Sequence, residues 1–176
     1  MPRLPEIFER DALPEEHRTV HDYLVKTRGA VSPGFASQLH SPEFVQRVAH
    51  LGTFVRFESS LPPALRELAA FTTSTELGNH YEQAIHGKTA GELGVSAEAI
   101  DAVLNQTSTE GAGGDEVLAI GAVREIVRNH GLSDATFNAA RERLGEQGVV
   151  ELIGTIGYYA MLACIHTSLD VQPPQA

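Results

Sequence analysis

The feature that most limits the fold of this chain is the helical spacing of its apolar residues between helix-start and helix-stop signals. The stretch "SPEFVQRVAHLGTFVRFESS" opens with Ser41 and Pro42, and its apolar residues then recur every three or four positions. A second helix is expected from Pro62 and Pro63 up to Gly78. No segment shows the sustained alternation of polar and apolar residues that a half-buried strand requires. The sequence therefore predicts an all-α fold.

The same patterns predict a single helical domain of about seven to eight helices over 1–176. Ser96 and Ser133 are expected N-caps of later helices. The most apolar segment, "GVVELIGTIGYYAMLACIHTSLD", is expected to form a central buried helix. It contains Cys164, the only cysteine, which is expected in the core because free cysteines are usually buried. A chain of 176 residues is long enough for one hydrophobic core, and no linker or repeat divides it.

The charge balance limits the partners. Thirteen Lys and Arg against 23 Asp and Glu give a formal net charge of -10. Nucleic acid and anionic membranes are not expected as partners, because phosphate binding requires a basic patch. A small anionic substrate stays compatible, since it needs only one or two local cations. The N-terminal stretch has no signal-peptide pattern, and no uncharged apolar stretch reaches about 18 residues, so we expect a soluble, cytoplasmic protein.

The stretch "NHYEQAIHGKTAGELG" contains the most interesting acid and base. Asn79 is an expected N-cap, and Glu82 lies at the spacing of a capping box, which would give it a structural role. Glu82 also lies one helical turn before His86. On an exposed face the two would form a weak ion pair, but in a pocket the carboxylate would raise the pKa of His86 toward that of a general base. A break at Gly78 would allow Glu67 of the preceding helix to join them.

Other polar residues are candidates with common alternatives. Arg56 could hold a substrate carboxylate through paired hydrogen bonds, although arginine is more often found on a helix surface. His40 stands just before a helix, where a loop or capping role is the alternative. Tyr158 and Tyr159 are expected in the core. The chain has no dinucleotide-binding, P-loop or nucleophile-elbow motif and no zinc-site spacing, so we predict neither a cofactor nor a metal.

The stretch "LPPALRELAAFTTSTELGNHYEQAIHGKTAGELGVSAEAIDAV" resembles the carboxymuconolactone decarboxylase family, which shares its fold with alkylhydroperoxidase D. The family elements are L-R-E-L, then Y-E-x-x-x-H-x-x-x-A, then G-(L/V)-S. They fall here at 65–68, at 81–90 and at 94–96. Similarity also covers "SPGFASQLHSPEF" and "SDATFNAARERLGEQGVVELIGTIGYY", so the resemblance spans most of the chain.

The resemblance implies a cysteine-free member of this fold. The peroxidase branch carries C-x-x-C-x-x-x-H, and its two cysteines would fall at Asn79 and Glu82. Disulfide-based peroxide reduction needs both thiols, so peroxidase activity is not expected. Instead, the resemblance implies a pocket lined by Glu67, Tyr81, Glu82 and His86. Gln83, where tryptophan is common, and His80 would make that pocket more polar than usual.

The activity implied by the resemblance is that of a cofactor-free lyase or decarboxylase of aromatic compound catabolism, acting on a small anionic lactone or keto acid. His86 would move a proton at the carbon next to a carbonyl, and Glu82 would orient and charge it. Glu67 would help to position the substrate or stabilise an enolate. The substrate-binding candidates are Tyr81, His40, Arg56 and His80.

Two other classes of function stay open. The chain could be a ligand-binding or assembly protein that kept the fold without the chemistry, or a hydrolase or retro-aldolase that uses the same pocket, because a fold does not fix a reaction. The resemblance also implies a homo-oligomer, a trimer or hexamer.

Overall fold

The computed structural model describes residues 2–173, and within that range the chain forms eight α-helices and no strand. The predicted all-α class is therefore confirmed. The helices are α1 (Arg18–Arg28), α2 (Pro33–Ala36), α3 (Pro42–Thr53), α4 (Pro63–Glu76), α5 (His80–Glu92), α6 (Ala97–Leu104), α7 (Gly114–Asn129) and α8 (Asp134–Leu169). Two short 3-10 turns, Arg10–Ala12 and Glu15–His17, precede α1, and a π-helical turn, Phe54–Glu58, follows α3.

The helix ends follow the local signals of the sequence. The side chains of Asn79, Ser96 and Ser133 each accept a hydrogen bond from a backbone N–H of the first turn, as expected of N-caps. Ser41 stands at the N-cap position of α3 without such a bond. Gly78 has a φ of 67°, a left-handed conformation that glycine adopts without strain. This residue separates α4 from α5 and lets the two helices fold back on each other.

Helix α4 lies at the centre of the molecule. Ten of its fourteen residues are buried, and it packs against α5, α7 and α8. The four hydroxyl side chains of 72–75 each donate to the carbonyl four residues earlier, at 2.7 to 2.9 Å, so polar groups in the core are satisfied. A side chain at Gly87 of α5 would lie 2.8 Å from the Phe71 ring. This close packing of α4 on α5 places Glu67 beside the first turns of α5.

Helix α8 joins the last two predicted helices, with a break at Gly145 (φ 72°, ψ 175°). Its inner face is buried, but Val150 on the outer face is 70% exposed. Cys164 is also exposed, so its expected core position is wrong. The reason is helical period: Cys164 lies four turns from Val150 on the outward face. In the described chain, α8 alone has the length and composition to cross a membrane, but half of its apolar window is buried inside the protein, as in a core helix.

Candidate functional site

A buried histidine lies between two carboxylates at the hairpin of α4 and α5. Nδ1 of His86 is 2.5 Å from Oε2 of Glu67, and Nε2 of His86 is 3.2 Å from Oε2 of Glu82. The break at Gly78 brings Glu67 to this position. Both ring nitrogens face carboxylate oxygens, and both can donate only when the ring is an imidazolium. The geometry therefore favours the charged form of His86.

The pKa shifts in this cluster support each other. Burial would lower the pKa of His86, but its hydrogen bonds to Glu67 and Glu82 outweigh burial and raise the pKa above its usual 6.5. Burial would raise the pKa of both carboxyls, but the hydrogen bond and charge of His86 hold them below the usual 4.5. The imidazolium and the two carboxylates thus share a site that solvent scarcely reaches, and Nε of Arg66 adds a positive charge 3.7 Å from Oε1 of Glu67.

Beside this cluster is a cavity of about 200 Å³, formed between α1, α2, the π-helical turn, α5 and α8. This volume suits a small acid or a single ring and is below that of a typical site for a drug-sized ligand. Glu82 and His86 reach the cavity wall, whereas Glu67 lies behind His86. The charged, polar and aromatic lining consists of Arg28, Ser32, Phe35, Gln38, Arg56, Tyr81, Glu82, His86, Tyr158, Tyr159 and His166.

Arg56 is an unpaired cation on this wall. It lies in the π-helical turn, which the hydrogen bond from Ser59 N to Phe54 O (2.9 Å) closes, and such turns are frequent at functional sites. Nε of Arg56 is buried and has no hydrogen-bond partner among the described residues. Its guanidinium contacts the ring of Phe57 at 5.2 Å. A half-buried guanidinium that forms no salt bridge within the described residues favours an anionic ligand.

Arg28 adds a second cation to the cavity. Its two terminal nitrogens donate to Thr27 Oγ1 (2.6 Å) and to the carbonyl of Ala49 (2.8 Å), and its guanidinium lies over the ring of Phe35 at 4.9 Å. Nε of Arg28 is buried and, within 2–173, without a partner. Burial lowers the pKa of Arg28 from its usual value. The cavity of this acidic protein is therefore locally cationic.

Three tyrosines complete the wall. Tyr81, a predicted site residue, packs edge-on against His166 with ring centroids 5.1 Å apart. Tyr159 packs in the same way against His86 at 4.7 Å. A side chain at Gly52 would lie 2.2 Å from the hydroxyl of Tyr158, so this glycine gives Tyr158 its position. Burial raises the pKa of all three phenols, which therefore stay protonated and can donate hydrogen bonds.

The structure corrects the placement of two predicted substrate-binding residues. Nε2 of His40 is 2.8 Å from the carbonyl oxygen of Pro5, in an exposed position. His80 is exposed and its Nδ1 contacts Oε1 of Gln83 at 3.0 Å. Neither side chain is part of the cavity wall. At about 100° per residue, His80 projects roughly 200° around α5 from Glu82, so it faces away from the site.

The cavity residues that the sequence analysis missed include Arg28, Gln38 and His166. His166 is 2% exposed, and its Nδ1 is 3.5 Å from Oε1 of Glu82. One signal was available, because His166 follows Tyr159 by seven residues and so lies on the same face of a long helix. No group of three or more His, Cys, Asp or Glu is arranged to hold a metal ion in the described chain.

Solved structures with this architecture define the class of fold. The AhpD core of a peroxidase-related protein from Ralstonia eutropha JMP134 matches with a TM-score of 0.80 at 17% identity, over 99% of this chain and 93% of that one. The debrominase Bmp8 in complex with 2,3,4-tribromopyrrole matches with 0.76 at 18% identity, over 99% and 93%. A protein of unknown function from Agrobacterium tumefaciens matches with 0.65 at 21% identity, over 78% and 94%. The fold is thus AhpD-like, as predicted.

The sequence of the α3–α7 region is similar to a known family. Residues 42–125, just under half of the chain, match the carboxymuconolactone decarboxylase family. This segment contains Glu67, Tyr81, Glu82, His86 and Arg56. It does not contain Arg28, Gln38 or His166. A search of curated proteins finds none that matches the chain.

Proposed function

We propose that the protein is a cofactor-free lyase that decarboxylates a small anionic lactone or keto acid by acid–base chemistry. One observation carries this proposal: a buried imidazolium is held between two carboxylates, and one of these carboxylates faces a small cavity with an unpaired guanidinium. The match of residues 42–125 to a family named for a decarboxylase agrees with this reaction class.

The substrate class follows from the cavity wall. Arg56 and Arg28 offer guanidinium N–H groups without carboxylate partners, so a carboxylate of the substrate would bind there. The volume of about 200 Å³ suits a single ring or a short acid. The bound tribromopyrrole of the structurally similar debrominase is also a small ring, which supports a ligand of this size.

The chemistry needs a proton and a stabilised enolate. When carbon dioxide leaves a carbon next to a carbonyl, the electron pair of the broken bond moves into an enolate. The protonated phenols of Tyr81 and Tyr158 would donate hydrogen bonds to the enolate oxygen. His86 would pass its proton to Glu82, which would deliver it to the carbon, and a solvent proton would recharge His86.

This assignment refines the roles expected from the sequence. His86 begins the cycle charged, so it supplies a proton as an acid and does not begin as a base. Glu82 is the group that meets the substrate, because one of its oxygens contacts His86 and its side chain reaches the cavity. Glu67 acts through His86 as a positioning residue. Disulfide-based peroxide reduction is excluded from the proposal, because the chain has one cysteine.

We also propose a homo-oligomer, a trimer or hexamer, in the cytoplasm, with neither nucleic acid nor a membrane as partner. Large apolar side chains are exposed on the segment from α3 through the π-helical turn and on the outer face of α8, which supports burial against a second copy. They are Leu51, Phe54, Phe57, Val150 and Ile153. Sedimentation equilibrium tests this, and a monomer at micromolar concentration would reject it.

A substrate panel tests the activity. Wild type and His86→Gln are incubated with 4-carboxymuconolactone and with related lactones and beta-keto acids, and products are identified by NMR. The proposal expects loss of carbon dioxide in wild type and its near absence in His86→Gln. Ring opening or carbon–carbon cleavage without carbon dioxide would instead favour a hydrolase or a retro-aldolase. Saturable binding without any product would favour a ligand-binding protein.

A further inference from the structure

The π-helical turn that carries Arg56 has little apolar packing to hold it. Of its five residues, Phe54–Glu58, only Val55 is buried. Phe54 and Phe57 are 39% and 55% exposed. Turns of this kind are rare in proteins, and segments with few buried contacts open readily. Polar contacts at the ends of the turn are therefore needed to fix its conformation.

Glu151 of α8 supplies such contacts at the C-terminal end of the turn. Oε2 of Glu151 accepts from Oγ of Ser59 (2.8 Å), from the backbone N–H of Ser60 (2.7 Å) and from Oγ of Ser60 (2.9 Å). Oε1 accepts from Nε2 of Gln147 at 2.7 Å. The backbone N–H of Ser59 closes the turn on the carbonyl of Phe54. The residue that closes the turn is thus also bound to Glu151.

These hydrogen bonds are charge-assisted. Glu151 is 8% exposed, and burial would raise the pKa of its carboxyl. The hydrogen bonds from Gln147, Ser59 and Ser60 outweigh burial and hold that pKa below the usual 4.5. An ionised carboxylate forms stronger hydrogen bonds than a neutral acceptor does. Glu151 therefore anchors the chain directly after the turn.

Glu151 does not reach the cavity itself. It lines a surface groove together with Phe54 and Val55, whereas Arg56 of the same turn lines the cavity. Arg56 forms no salt bridge within 2–173, and its Nε has no hydrogen-bond partner there. The direction of the Arg56 side chain is therefore determined by the backbone of the turn, which Glu151 holds.

We propose that Glu151 is a positioning residue of the anion site: by binding Ser59 and Ser60 it fixes the π-helical turn and directs Arg56 into the cavity. The proposal rests on the proposed function, because there Arg56 binds the carboxylate of the substrate. It adds that α8, which lies outside the segment 42–125, controls the affinity of the cavity for anions through a residue that touches no substrate.

Arg56 can be observed without turnover. In 1H–15N spectra of protein with 15N-labelled arginine, the Nε–H signal of Arg56 is assigned with Arg56→Met. Its hydrogen should exchange with water about 10-fold faster in Glu151→Met than in wild type, because release of the turn exposes it. Nε–H of Arg28, buried in the same cavity but carried by α1, should exchange at an unchanged rate. Glu146→Met is the matched control, since Glu146 is an exposed residue of α8 that accepts none of these hydrogen bonds.

Unchanged exchange at Arg56 in Glu151→Met would overturn the proposal. Equal acceleration at Arg28 would also overturn it, because Glu151 would then stabilise the whole fold and not this turn. Glu151→Gln should exchange at an intermediate rate. Its amide oxygen can still accept from the two serines if Gln147 turns its own amide to accept from the new NH2 group.

The two serines give a second route to the same measurement if Glu151→Met does not fold. The double variant Ser59→Ala, Ser60→Ala removes two of the three donors to Oε2 of Glu151 and leaves the carboxylate in place. It should accelerate exchange at Arg56 and leave Arg28 unchanged. Wild-type exchange at Arg56 in this variant would contradict the proposal.

The effect on the reaction separates positioning from stability. With a substrate found in the panel, Glu151→Met should raise KM about 10-fold at unchanged kcat, and it should have no further effect in an Arg56→Met background. A full additional effect in that background, or a fall in kcat at unchanged KM, would overturn the proposal. No turnover in wild type would instead reject the lyase proposal, and the exchange measurement, which uses no substrate, would still decide the role of Glu151.

Discussion

Two buried charge clusters of this molecule differ in how completely their hydrogen bonds are made. Glu76, at the end of α4, has a side chain that is 5% exposed and accepts from Nε of Arg124 (3.0 Å) and from Nη2 of Arg128 (2.7 Å). The remaining nitrogens of Arg124 donate to the carbonyls of Thr107 and Ala102 at 2.7 and 2.8 Å. This cluster, at the packing of α4 on α7, has a partner for every charge.

The cavity cluster is equally buried but incompletely paired. Glu67, Glu82 and His86 satisfy one another, whereas Nε of Arg28 and of Arg56 have no partner in the described chain. Unpaired buried donors cost free energy, and such a cost is typical of sites selected for function. Burial of charge alone therefore does not identify a functional site. Buried hydrogen-bond donors that lack a partner and lie around a cavity do identify one.

The largest effect is expected from Glu82→Gln. The amide cannot carry a proton from His86 to the substrate carbon, so kcat should fall about 100- to 10,000-fold. The matched control is Glu92→Gln on the same helix, where an exposed carboxylate makes only a 3.8 Å ion pair with Lys88. Initial rates of wild type and the two variants measure kcat, and circular dichroism checks that each variant is folded. An unchanged kcat in Glu82→Gln would show that the cavity cluster, like the Glu76 cluster, has no role in turnover.

Glu76→Gln should produce the opposite result. Removing the charge leaves Arg124 poorly paired in a mostly buried position, so the free energy of unfolding should fall by about 2 kcal/mol. Because the cluster does not reach the cavity, kcat per folded molecule should stay unchanged. Urea unfolding measures the first quantity and initial rates measure the second. A loss of kcat at full stability would place Glu76 in the functional machinery.

Arg56→Met should raise KM for an anionic substrate about 10- to 100-fold, because a charge-assisted pair to the ligand is lost. The free energy of unfolding should hold or increase, since Arg56 gives up no ion pair within the described chain. Arg47→Met is the control, an exposed arginine of α3 paired with Glu43 at 3.6 Å. Unchanged KM in Arg56→Met would show that the unpaired guanidinium does not bind substrate.

A smaller effect is expected in the pH dependence of stability. The folded-state pKa of His86 is raised above 6.5, so its contribution is complete below pH 6.5 and is lost as pH rises through the folded pKa. The pKa values of Glu67 and Glu82 are lowered below 4.5, so their contribution is present above pH 4.5 and is lost as pH falls through the folded values.

The cavity cluster should therefore stabilise the fold most between about pH 4.5 and 6.5. Urea unfolding as a function of pH measures this, and Glu67→Gln should flatten the decline above pH 6.5 because one partner of His86 loses its charge. An unchanged slope in Glu67→Gln would contradict the charged state of His86.

The sequence predicted the parts of the site that depend on local spacing. Glu82 and His86 are one turn apart, and the left-handed Gly78 allows α4 to bring Glu67 to them. Those features are encoded within about twenty residues, where helical period and turn chemistry are informative.

The rest depends on contacts between distant segments. Glu82 and His166 are 84 positions apart in sequence, and no local pattern reports their contact. The π-helical turn that carries Arg56 lies within what reads as ordinary helix, so its inward direction could not be predicted. Cys164 was misplaced for a related reason: the apolar character of α8 suggested burial all round, whereas only one face is buried.

The most direct test of the central claim is decarboxylation of 4-carboxymuconolactone by wild type in deuterated water, with NMR analysis of the carbon that receives the proton. If Glu82 delivers the proton from one fixed direction, carbon dioxide is released and the product carries one deuterium in a single stereochemical configuration. An equal mixture of configurations would show protonation by free solvent. That result, or no carbon dioxide release above the buffer rate, would contradict the account.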